Sequence, residues 1–579
     1  MIKSRIKAER SEADSNSYIQ TYRSFSWSAV EAEFVWKNTN LTNIAFEAID
    51  RQAMDKGHLK ALVLERAGQT ESFTYLDLKR ISCRWANLLS RYGLAKGDRL
   101  FIYLDPCPEL YFAMIACARM GVVFCPLYPT LIFDELEDRI HNASPRAILT
   151  HPDLAENLPD EAMTEVEHVL LTEGPAPGLF RGETVVEDVI QQMSEEFENV
   201  WVERHERLYL LYTSGSTGPP KGVVHTHQDM LGLKFTGRYV LDLDEGTVLW
   251  TDGHPAWVLG TVYGTFAPWL CGATSIIMAD SFSASNSYRA LERHKVEVWY
   301  TTPRRIRSLM TAGEDLPPRY DFSSLRHVCT VGEALGPDLF HWVRSNMGLS
   351  PHDTWWMTET GMISLANFSS MDIKPGSMGR PVPGVEAAIV SEDGEKLPML
   401  TLGQLALKPG WPAMMSEIWQ DVPRYQEYFR LSGWFLTGDM AIVDEDGYFF
   451  HQGRMDDLIK IGERIVGPYE IEQVLCRHPA VNEAAIISMD SPLGKTSLKA
   501  FLTVSQGFKP STRLRHEIRA FLKPNLSAAV ELSEVEFVSE LPKTESGKVI
   551  RRVLRARELG LPEGDFLGLR DKPLSKHEP

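Results

Sequence analysis

The sequence has little cysteine and no long uninterrupted run of apolar residues. Seven cysteines are scattered over 579 residues, and no two of them form a Cys-x-x-Cys pair. This pattern is typical of reduced thiols in a cytoplasmic protein. The most apolar long window, residues 111–129, contains Arg119 and is broken by Gly and Pro, so we expect no membrane-spanning helix.

Basic residues are also fewer than acidic residues. The chain has 78 acidic and 60 basic residues and a net charge of −18. This balance disfavours a general binder of nucleic acid or of anionic membranes. The first fifteen residues contain basic side chains but no apolar core follows them, so we expect no secretory signal. No internal repeat or low-complexity linker is visible, and the length predicts several domains or subdomains.

Apolar runs alternate with amphipathic stretches from about residue 61 onward. Strands alternating with helices predict βαβ units and mainly parallel sheets. We therefore expect an α/β fold, with a large N-terminal domain over residues 1–455 and a small α+β C-terminal domain over residues 456–579. Within the first domain, residues 1–40 read as an arm, and residues 375–455 read as a β-rich subdomain because Gly and Pro break short apolar runs.

A loop rich in glycine and hydroxyl groups separates two apolar runs that read as strands. Residues 211–222, LYTSGSTGPPKG, contain three glycines, two prolines, one lysine and four Ser or Thr hydroxyls. Backbone N–H groups and hydroxyls in such a turn can bind an anion, and Lys221 adds a positive charge. The loop differs from a P-loop because Pro220 and Gly222 flank the lysine. From composition alone, a phosphate cradle and a polar hairpin loop both stay open.

The complete string resembles the signature loop of the adenylate-forming superfamily, which includes acyl-CoA synthetases, luciferases and peptide-synthetase adenylation domains. The resemblance implies that this loop binds the β- and γ-phosphates of ATP. The residues concerned are Thr213, Ser214, Gly215, Ser216, Thr217, Gly218 and Lys221. Later motifs follow in the order of the family and are most similar to those of the acetyl-CoA synthetases.

Residues 353–361, DTWWMTETG, place two tryptophans beside a hydroxyl and a carboxylate. The pattern fits two core aromatics beside a turn, or an aromatic wall beside groups that can meet Mg²⁺ and phosphate. The acetyl-CoA synthetase motif is almost the same. By this resemblance, Trp356 closes the acyl pocket to all but very short acids, Thr358 contacts the α-phosphate region, and Glu359 helps to hold Mg²⁺.

Neighbouring motifs complete the implied nucleotide and acyl sites. The residues implied to bind adenine and ribose are Gly332, Glu333, Ala334, Asp353, Thr354, Trp355, Asp439 and Arg454. The implied walls of the acyl pocket are Val258, Leu259, Val331 and Trp356. The carboxylate of Asp439 can accept both ribose hydroxyls, although aspartate is also common in ordinary turns.

The resemblance also assigns residues to the C-terminal domain. Asp456 stands at the hinge about which this domain turns between two half-reactions. Gly462 and Arg464 serve CoA and phosphate in the second step. Lys548, in the stretch LPKTESGK, matches the adenylation lysine, whose ammonium stabilises charge on the α-phosphate and the acyl carboxylate. Acetylation would remove that charge, so a lysine acetyltransferase and a deacetylase are candidate partners.

Several positions depart from the family pattern. The replaced or added residues are Leu259, Arg304, Arg305, Met357, Ile461, Val466 and Glu545. The first four reshape the expected acyl pocket or channel, so the acid is open beyond short-chain. The extra valine shifts the assignment of Gly462 and Arg464 by one position.

The implied activity is that of an AMP-forming acetyl-CoA synthetase. Acetate and Mg-ATP give acetyl-adenylate and pyrophosphate, and CoA then takes the acetyl group and releases AMP. Alternatives are a CoA ligase for another short, branched or cyclic acid, the same reaction run in reverse, and a nucleotide-binding regulator without catalysis. The sequence leaves open whether the protein is a monomer or a homo-oligomer.

A His-x-His pair, His225 and His227, follows the glycine-rich loop. Both side chains could point to one face of a strand and bind a metal. No third ligand is near in the sequence, so we expect structural histidines.

Overall fold

The computed structural model describes residues 17–38, 40–174, 178–180, 182–213, 220–313, 315–457, 459–461, 464–466, 468–490, 496–522, 532–543 and 549–559. These residues divide into two compact units. The first unit contains the described residues up to 213, residues 220–386 and residues 409–427. The second contains residues 387–408 and the described residues from 428 onward.

An eight-stranded sheet forms one half of the first unit. In spatial order its strands are Glu417–Ile418, Lys221–Thr226, Arg207–Thr213, Val123–Leu127, Arg99–Tyr103, Ala147–Thr150, His168–Leu171 and Glu183–Val185. Five neighbouring pairs are parallel, and the two pairs at the Glu417–Ile418 edge are antiparallel.

A nine-stranded sheet forms the other half. Its spatial order is Arg380–Pro381, Leu365–Ala366, Pro351–Trp355, His327–Thr330, Val298–Thr301, Val248–Thr251, Thr274–Met278, Lys60–Arg66 and Gln69–Thr74. The strands from Pro351–Trp355 to Lys60–Arg66 run parallel to one another. A two-stranded ribbon, Leu41–Thr42 with Val202–Glu203, accompanies these sheets.

The first unit contains helices before, between and after its strands. They are Tyr18–Ser24, Trp27–Glu31, Arg51–Lys56, Tyr75–Arg91, Pro108–Met120, Phe133–Ala143, Pro152–Ala155, Val186–Ile190, Met230–Tyr239, Val258–Thr261, Ala267–Cys271, Ala284–Arg293, Pro303–Thr311, Pro337–Met347 and Val422–Glu427. The described residues of this unit also include two π-helical segments, Phe46–Asp50 and Val262–Phe266.

The second unit contains smaller sheets. Four antiparallel strands are Ala387–Val390, Gly403–Leu407, Phe435–Val443 and Phe449–Arg454. The others are the pair Ile459–Ile461 and Arg464–Val466, and the three strands Val481–Asp490, Thr496–Val504 and Leu532–Phe537. Its helices are Pro468–Leu475, Thr512–Leu522 and Arg551–Leu559.

The predicted α/β class is confirmed, and local sequence explains individual elements. The helix Tyr75–Arg91 begins after Thr74 because Thr74 Oγ1 accepts the Asp77 N–H and the Asp77 carboxylate accepts the Thr74 N–H. All seven cysteines are free, as expected. No helix in the described part of the chain combines the length and apolarity needed to cross a membrane.

A buried ion pair ties the first unit together. The Arg119 guanidinium donates to both carboxylate oxygens of Asp50 at 2.7 Å, and also to Ser82 and Asn199. The side chain of Arg119 is completely buried and that of Asp50 is 6% exposed. Removal of one partner therefore leaves a charge in a medium that cannot solvate it.

We expect Asp50→Ala to lower the free energy of unfolding by about 3–5 kcal/mol, measured by urea denaturation, because it leaves the guanidinium unpaired. The control is Arg319→Ala, which breaks the exposed pair with Asp315 and should cost less than about 1 kcal/mol. Equal losses in the two variants would contradict this account of Arg119.

Candidate active site

Three neighbouring parallel strands of the nine-stranded sheet end at one edge. They are Val298–Thr301, His327–Thr330 and Pro351–Trp355. Ligands of open α/β sheets bind outside the carboxyl ends of the strands. The predicted segments that begin at Val331 and Trp356 directly follow two of these strands. The structure therefore brings them to the same edge of the sheet, although they are separate in the sequence.

Trp356 is nearly buried at this edge, with 7% of its surface exposed. Its indole N–H donates to the Tyr300 hydroxyl at 2.9 Å. The Tyr263 ring meets the indole edge-on, with centroids 5.0 Å apart and an interplanar angle of 81°. Two tyrosines thus hold the predicted wall of the acyl pocket.

The segment with the other predicted walls reaches the same region. Val258 and Leu259 are buried in the helix Val258–Thr261, which continues into the π-helical segment that carries Tyr263. π-helical segments are frequent at functional sites. Gly260 lies against the backbone of residues 253–254, where a side chain would overlap main-chain atoms. The backbone therefore requires the glycine of this motif.

The predicted adenine segment follows the strand His327–Thr330. Val331 is buried, its N–H donates to the Thr301 carbonyl at 3.0 Å, and Gly332 has a positive φ of 99°. Gly332 and Glu333 are exposed and Ala334 is half-buried. They are therefore accessible to a ligand, whereas Val331 faces the interior.

Asp353 lies on the next strand and is 3% exposed. Its carboxylate accepts hydrogen bonds from Thr330 Oγ1 at 2.7 Å and from the Leu335 N–H at 3.4 Å. Burial raises the pKa of this carboxyl to about 7, against the opposing effect of these bonds. The structure thus joins Asp353 to the loop that carries the adenine segment, and its predicted contact with the base stays a prediction.

Thr354 and Trp355 complete this strand, and both are buried. Thr354 Oγ1 donates to the Thr330 carbonyl at 2.8 Å and shares a 2.7 Å hydrogen bond with the Tyr300 hydroxyl. Thr354 therefore links the strand His327–Thr330, which leads into the predicted adenine segment, to Tyr300, which holds Trp356.

The ends of the glycine-rich loop are fixed by an antiparallel hairpin. Thr213 ends one strand and pairs in register with Lys221, which begins the next. Ser214, Gly215, Ser216, Thr217 and Gly218 lie outside the described residues. The Lys221 ammonium forms an ion pair with Glu359, and their side chains are 11% and 6% exposed. The two charged residues predicted for phosphate and Mg²⁺ are thus in contact.

His225 reaches the same turn from the same face of the strand, four residues beyond Lys221. Its Nε2 lies 2.7 Å from the Thr358 carbonyl oxygen, and its Nδ1 lies 2.7 Å from Asp229 Oδ2. All three residues are nearly or fully buried. The strand Lys221–Thr226 therefore holds the turn Thr358–Thr360 through two side chains.

Gly361 ends this turn with a φ of 67°. A Cβ atom there would overlap the Ala413 carbonyl oxygen and the His225 ring. The turn therefore needs glycine for two reasons, the left-handed backbone and the close approach of the imidazole.

His227 does not join His225 in a metal site. Its Nδ1 accepts the Ile44 N–H at 3.2 Å, and burial lowers its pKa to about 3. Among the residues that the structure describes, no group of three His, Cys, Asp or Glu side chains could hold a metal ion.

The remaining predicted residues belong to the second unit. Asp439 is 7% exposed, and Arg454 on the paired strand donates to it at 3.0 Å. Asp456 lies in the short 3₁₀ turn Met455–Asp457, and Arg464 begins the strand Arg464–Val466. Gly462 and Lys548 lie outside the described residues, so their assignments stay predictions.

The chain matches two family models. The model of the AMP-binding enzyme matches residues 49–419, and that of the AMP-binding enzyme C-terminal domain matches residues 470–548. The chain belongs to the AMP-binding enzyme family. The family resemblance that the motifs predicted is therefore confirmed.

Similar proteins extend over almost the whole length of this AMP-binding enzyme. It is 43% identical to the acetyl-coenzyme A synthetase of Bacillus subtilis (strain 168), with 97% of this chain and 98% of that protein covered. It is 36% identical to the acetyl-coenzyme A synthetase of Methanothrix soehngenii, with 92% and 84% covered.

Solved structures agree on the fold. An anthranilate CoA ligase in complex with anthranoyl-AMP superimposes with a TM-score of 0.81 at 26% identity, with 89% of this chain and 97% of that chain covered. A benzoate CoA ligase from Burkholderia xenovorans LB400 gives a TM-score of 0.79 at 26% identity, with 89% and 100% covered.

Sequence reasoning did not find two groups of this site. Tyr263 and Tyr300 carried no signal of their own, because a π-helical segment and a strand bring them to Trp356 only in the folded chain. His225 was considered as a metal ligand, although the spacing of four to Asp229 was a readable sign of a histidine–carboxylate pair. Pairing with a distant carbonyl could not be read from the sequence.

We expect His225→Leu to slow ATP–pyrophosphate exchange by about 10- to 100-fold, because the turn that carries Glu359 loses a tether and small misplacements are costly. The matched control is His227→Leu, which removes an equally buried imidazole that does not touch the turn. Equal slowing in both variants, at equal thermal stability, would contradict the positioning role of His225.

Proposed function

We propose that this protein is an AMP-forming acetyl-CoA synthetase. It joins acetate to the α-phosphate of ATP, releases pyrophosphate, and transfers the acetyl group to the thiol of CoA with release of AMP. Full-length relatives named acetyl-coenzyme A synthetase support this proposal. ATP and CoA are accordingly its substrates.

The observation that carries the proposal is the short separation in sequence between Trp356, the predicted wall of the acyl pocket, and the charged residue Glu359. Trp356 and Glu359 stand three residues apart, at the end of one buried strand, and Glu359 contacts Lys221. An aromatic wall for a small acid therefore lies next to opposite charges suited to phosphate. This is the arrangement needed to hold a carboxylate beside an α-phosphate.

In the first step, catalysis is positioning and neutralisation of charge, without a covalent enzyme intermediate. The loop residues 213–218 and Lys221 bind the β- and γ-phosphates, and Thr358 contacts the α-phosphate. Val258, Leu259, Val331 and Trp356 confine the acid, so that its carboxylate attacks in line.

The residues present fit Mg²⁺. This ion prefers oxygen ligands and is commonly held by one or two carboxylates together with substrate phosphates. Glu359 supplies a nearly buried carboxylate in contact with a cation, and the adjacent Thr358 supplies a hydroxyl. When bound, Mg²⁺ would neutralise part of the phosphate charge.

In the second step, the chain beyond Asp456 rotates. The residues that serve adenylation are then replaced at the site by those that serve thioester formation. Lys548 supplies positive charge during adenylation, and Gly462 and Arg464 serve the thioester-forming state. Asp439 accepts the ribose hydroxyls, and Arg454 holds its carboxylate. Acetylation of Lys548 would block only the first step, since it removes the charge.

A CoA ligase for a larger acid is the second candidate. Met357 and Leu259 replace polar residues of the related pocket, and two structural neighbours are CoA ligases named for anthranilate and benzoate. A change of one methylene in an apolar pocket alters discrimination by about 10- to 200-fold. The preferred acid is therefore decided by measurement of several acids.

The test is ATP–pyrophosphate exchange with acetate, propionate, butanoate and benzoate, for the wild type and for Trp356→Gly. We expect the wild type to prefer acetate, and the variant to prefer a longer acid because the indole no longer fills the pocket. A wild type that prefers benzoate or butanoate would refute the acetate assignment. Absence of exchange with every acid would favour a nucleotide-binding regulator.

A further inference from the structure

We propose that Tyr300 is a specificity-determining residue, because its hydroxyl fixes the orientation of the Trp356 indole and thereby the length of acid accepted. The inference rests on the proposed function, in which Trp356 closes the acyl pocket. It adds a positioning residue that belongs to a different strand and comes 56 residues earlier in the chain.

Three hydrogen bonds form a continuous chain behind the indole. Trp356 Nε1 donates to the Tyr300 hydroxyl oxygen at 2.9 Å. The Tyr300 hydroxyl lies 2.7 Å from Thr354 Oγ1. Thr354 Oγ1 in turn lies 2.8 Å from the Thr330 carbonyl oxygen.

The direction of every proton in this chain follows from its two ends. The carbonyl of Thr330 can only accept, so the Thr354 hydroxyl donates its single proton there. The oxygen of Thr354 must then accept from the Tyr300 hydroxyl. The indole N–H can only donate, and it points at the oxygen that Tyr300 has left free to accept. Each group has one role, so the chain has one arrangement.

Burial stabilises this arrangement of hydrogen bonds. Tyr300 and Thr330 are fully buried, Thr354 is 4% exposed and Trp356 is 7% exposed. A buried N–H without an acceptor is strongly disfavoured. The indole therefore stays directed at Tyr300 while other buried atoms surround it, and the wall of the acyl pocket keeps one position.

Tyr263 makes a second contact with the Trp356 indole ring, and this contact does not involve the indole N–H. Tyr263 meets the rings of Trp356 and Tyr300 edge-on, with centroid distances of 5.0 Å and 5.5 Å. Its hydroxyl is engaged elsewhere, at 2.7 Å from Thr236 Oγ1 and 2.9 Å from the Ile363 N–H. Loss of the Tyr300 hydroxyl would therefore leave the ring packed on one side and free to rotate toward another acceptor.

Tyr300→Phe should widen the range of acids. The readout is the ratio of kcat/KM for propionate to kcat/KM for acetate, in ATP–pyrophosphate exchange at saturating ATP. We expect this ratio to rise about 10-fold, a part of the discrimination that one methylene can produce. In Trp356→Gly, which has no indole, adding Tyr300→Phe should not change the ratio further.

The matched control is Tyr75→Phe. Tyr75 is also fully buried, and its hydroxyl donates to the Ala273 carbonyl at 2.7 Å, outside the site. The control loses a comparable hydrogen bond and should keep the wild-type ratio. If Tyr300→Phe does not fold, Thr354→Val is the second variant, since it removes the acceptor of the Tyr300 hydroxyl and should raise the same ratio.

A wild-type ratio in folded Tyr300→Phe, or in Thr354→Val where that variant is needed, would overturn the inference. So would an equal rise in the presence and absence of the indole. A wild type that prefers a larger acid would instead refute the proposed function, and this inference with it. The two failures are therefore distinguishable in one experiment.

Discussion

The site depends on a turn that a neighbouring strand holds at two points. The strand Lys221–Thr226 contributes an ammonium to Glu359 and an imidazole to the Thr358 carbonyl. Because both side chains leave one face of one strand, the turn cannot shift without breaking both contacts. The glycine-rich loop ends at this same strand, so one element connects the predicted phosphate loop with the predicted metal ligand.

Burial of polar groups imposes a second constraint of the same kind. At the edge of the nine-stranded sheet, Asp353, Thr354 and Trp356 place a carboxyl, a hydroxyl and an indole among apolar neighbours. Each must find a partner inside the protein. Thr330 and Tyr300, on the next two parallel strands, provide those partners. The need of buried polar groups for hydrogen-bond partners therefore also orients Trp356, the predicted wall of the acyl pocket.

The sequence predicted the elements with strong local signals. The alternation of strands and helices from about residue 61 onward was predicted, and the structure contains it. The motif that contains Trp356 and Glu359 was also visible, because its residues are contiguous. These features depend on periodicity, caps and short patterns, which a single sequence contains.

Contacts between distant segments could not be predicted in this way. His225 and Thr358 are 133 residues apart, and Tyr300 and Trp356 are 56 apart. The first contact joins a strand of one large sheet to the turn that follows a strand of the other, and the second depends on the order of parallel strands within one sheet. Hydrophobic patterns specify neither arrangement. The roles of Asp439, Arg464 and Lys548 rest on resemblance and stay predictions. The most direct measurement of the central claim follows one oxygen atom through the reaction. With ¹⁸O-labelled acetate, ATP and CoA, direct attack of the carboxylate on the α-phosphate predicts one ¹⁸O atom in AMP for each acetyl-CoA formed. Label in phosphate or pyrophosphate, or formation of ADP instead of AMP, would contradict it.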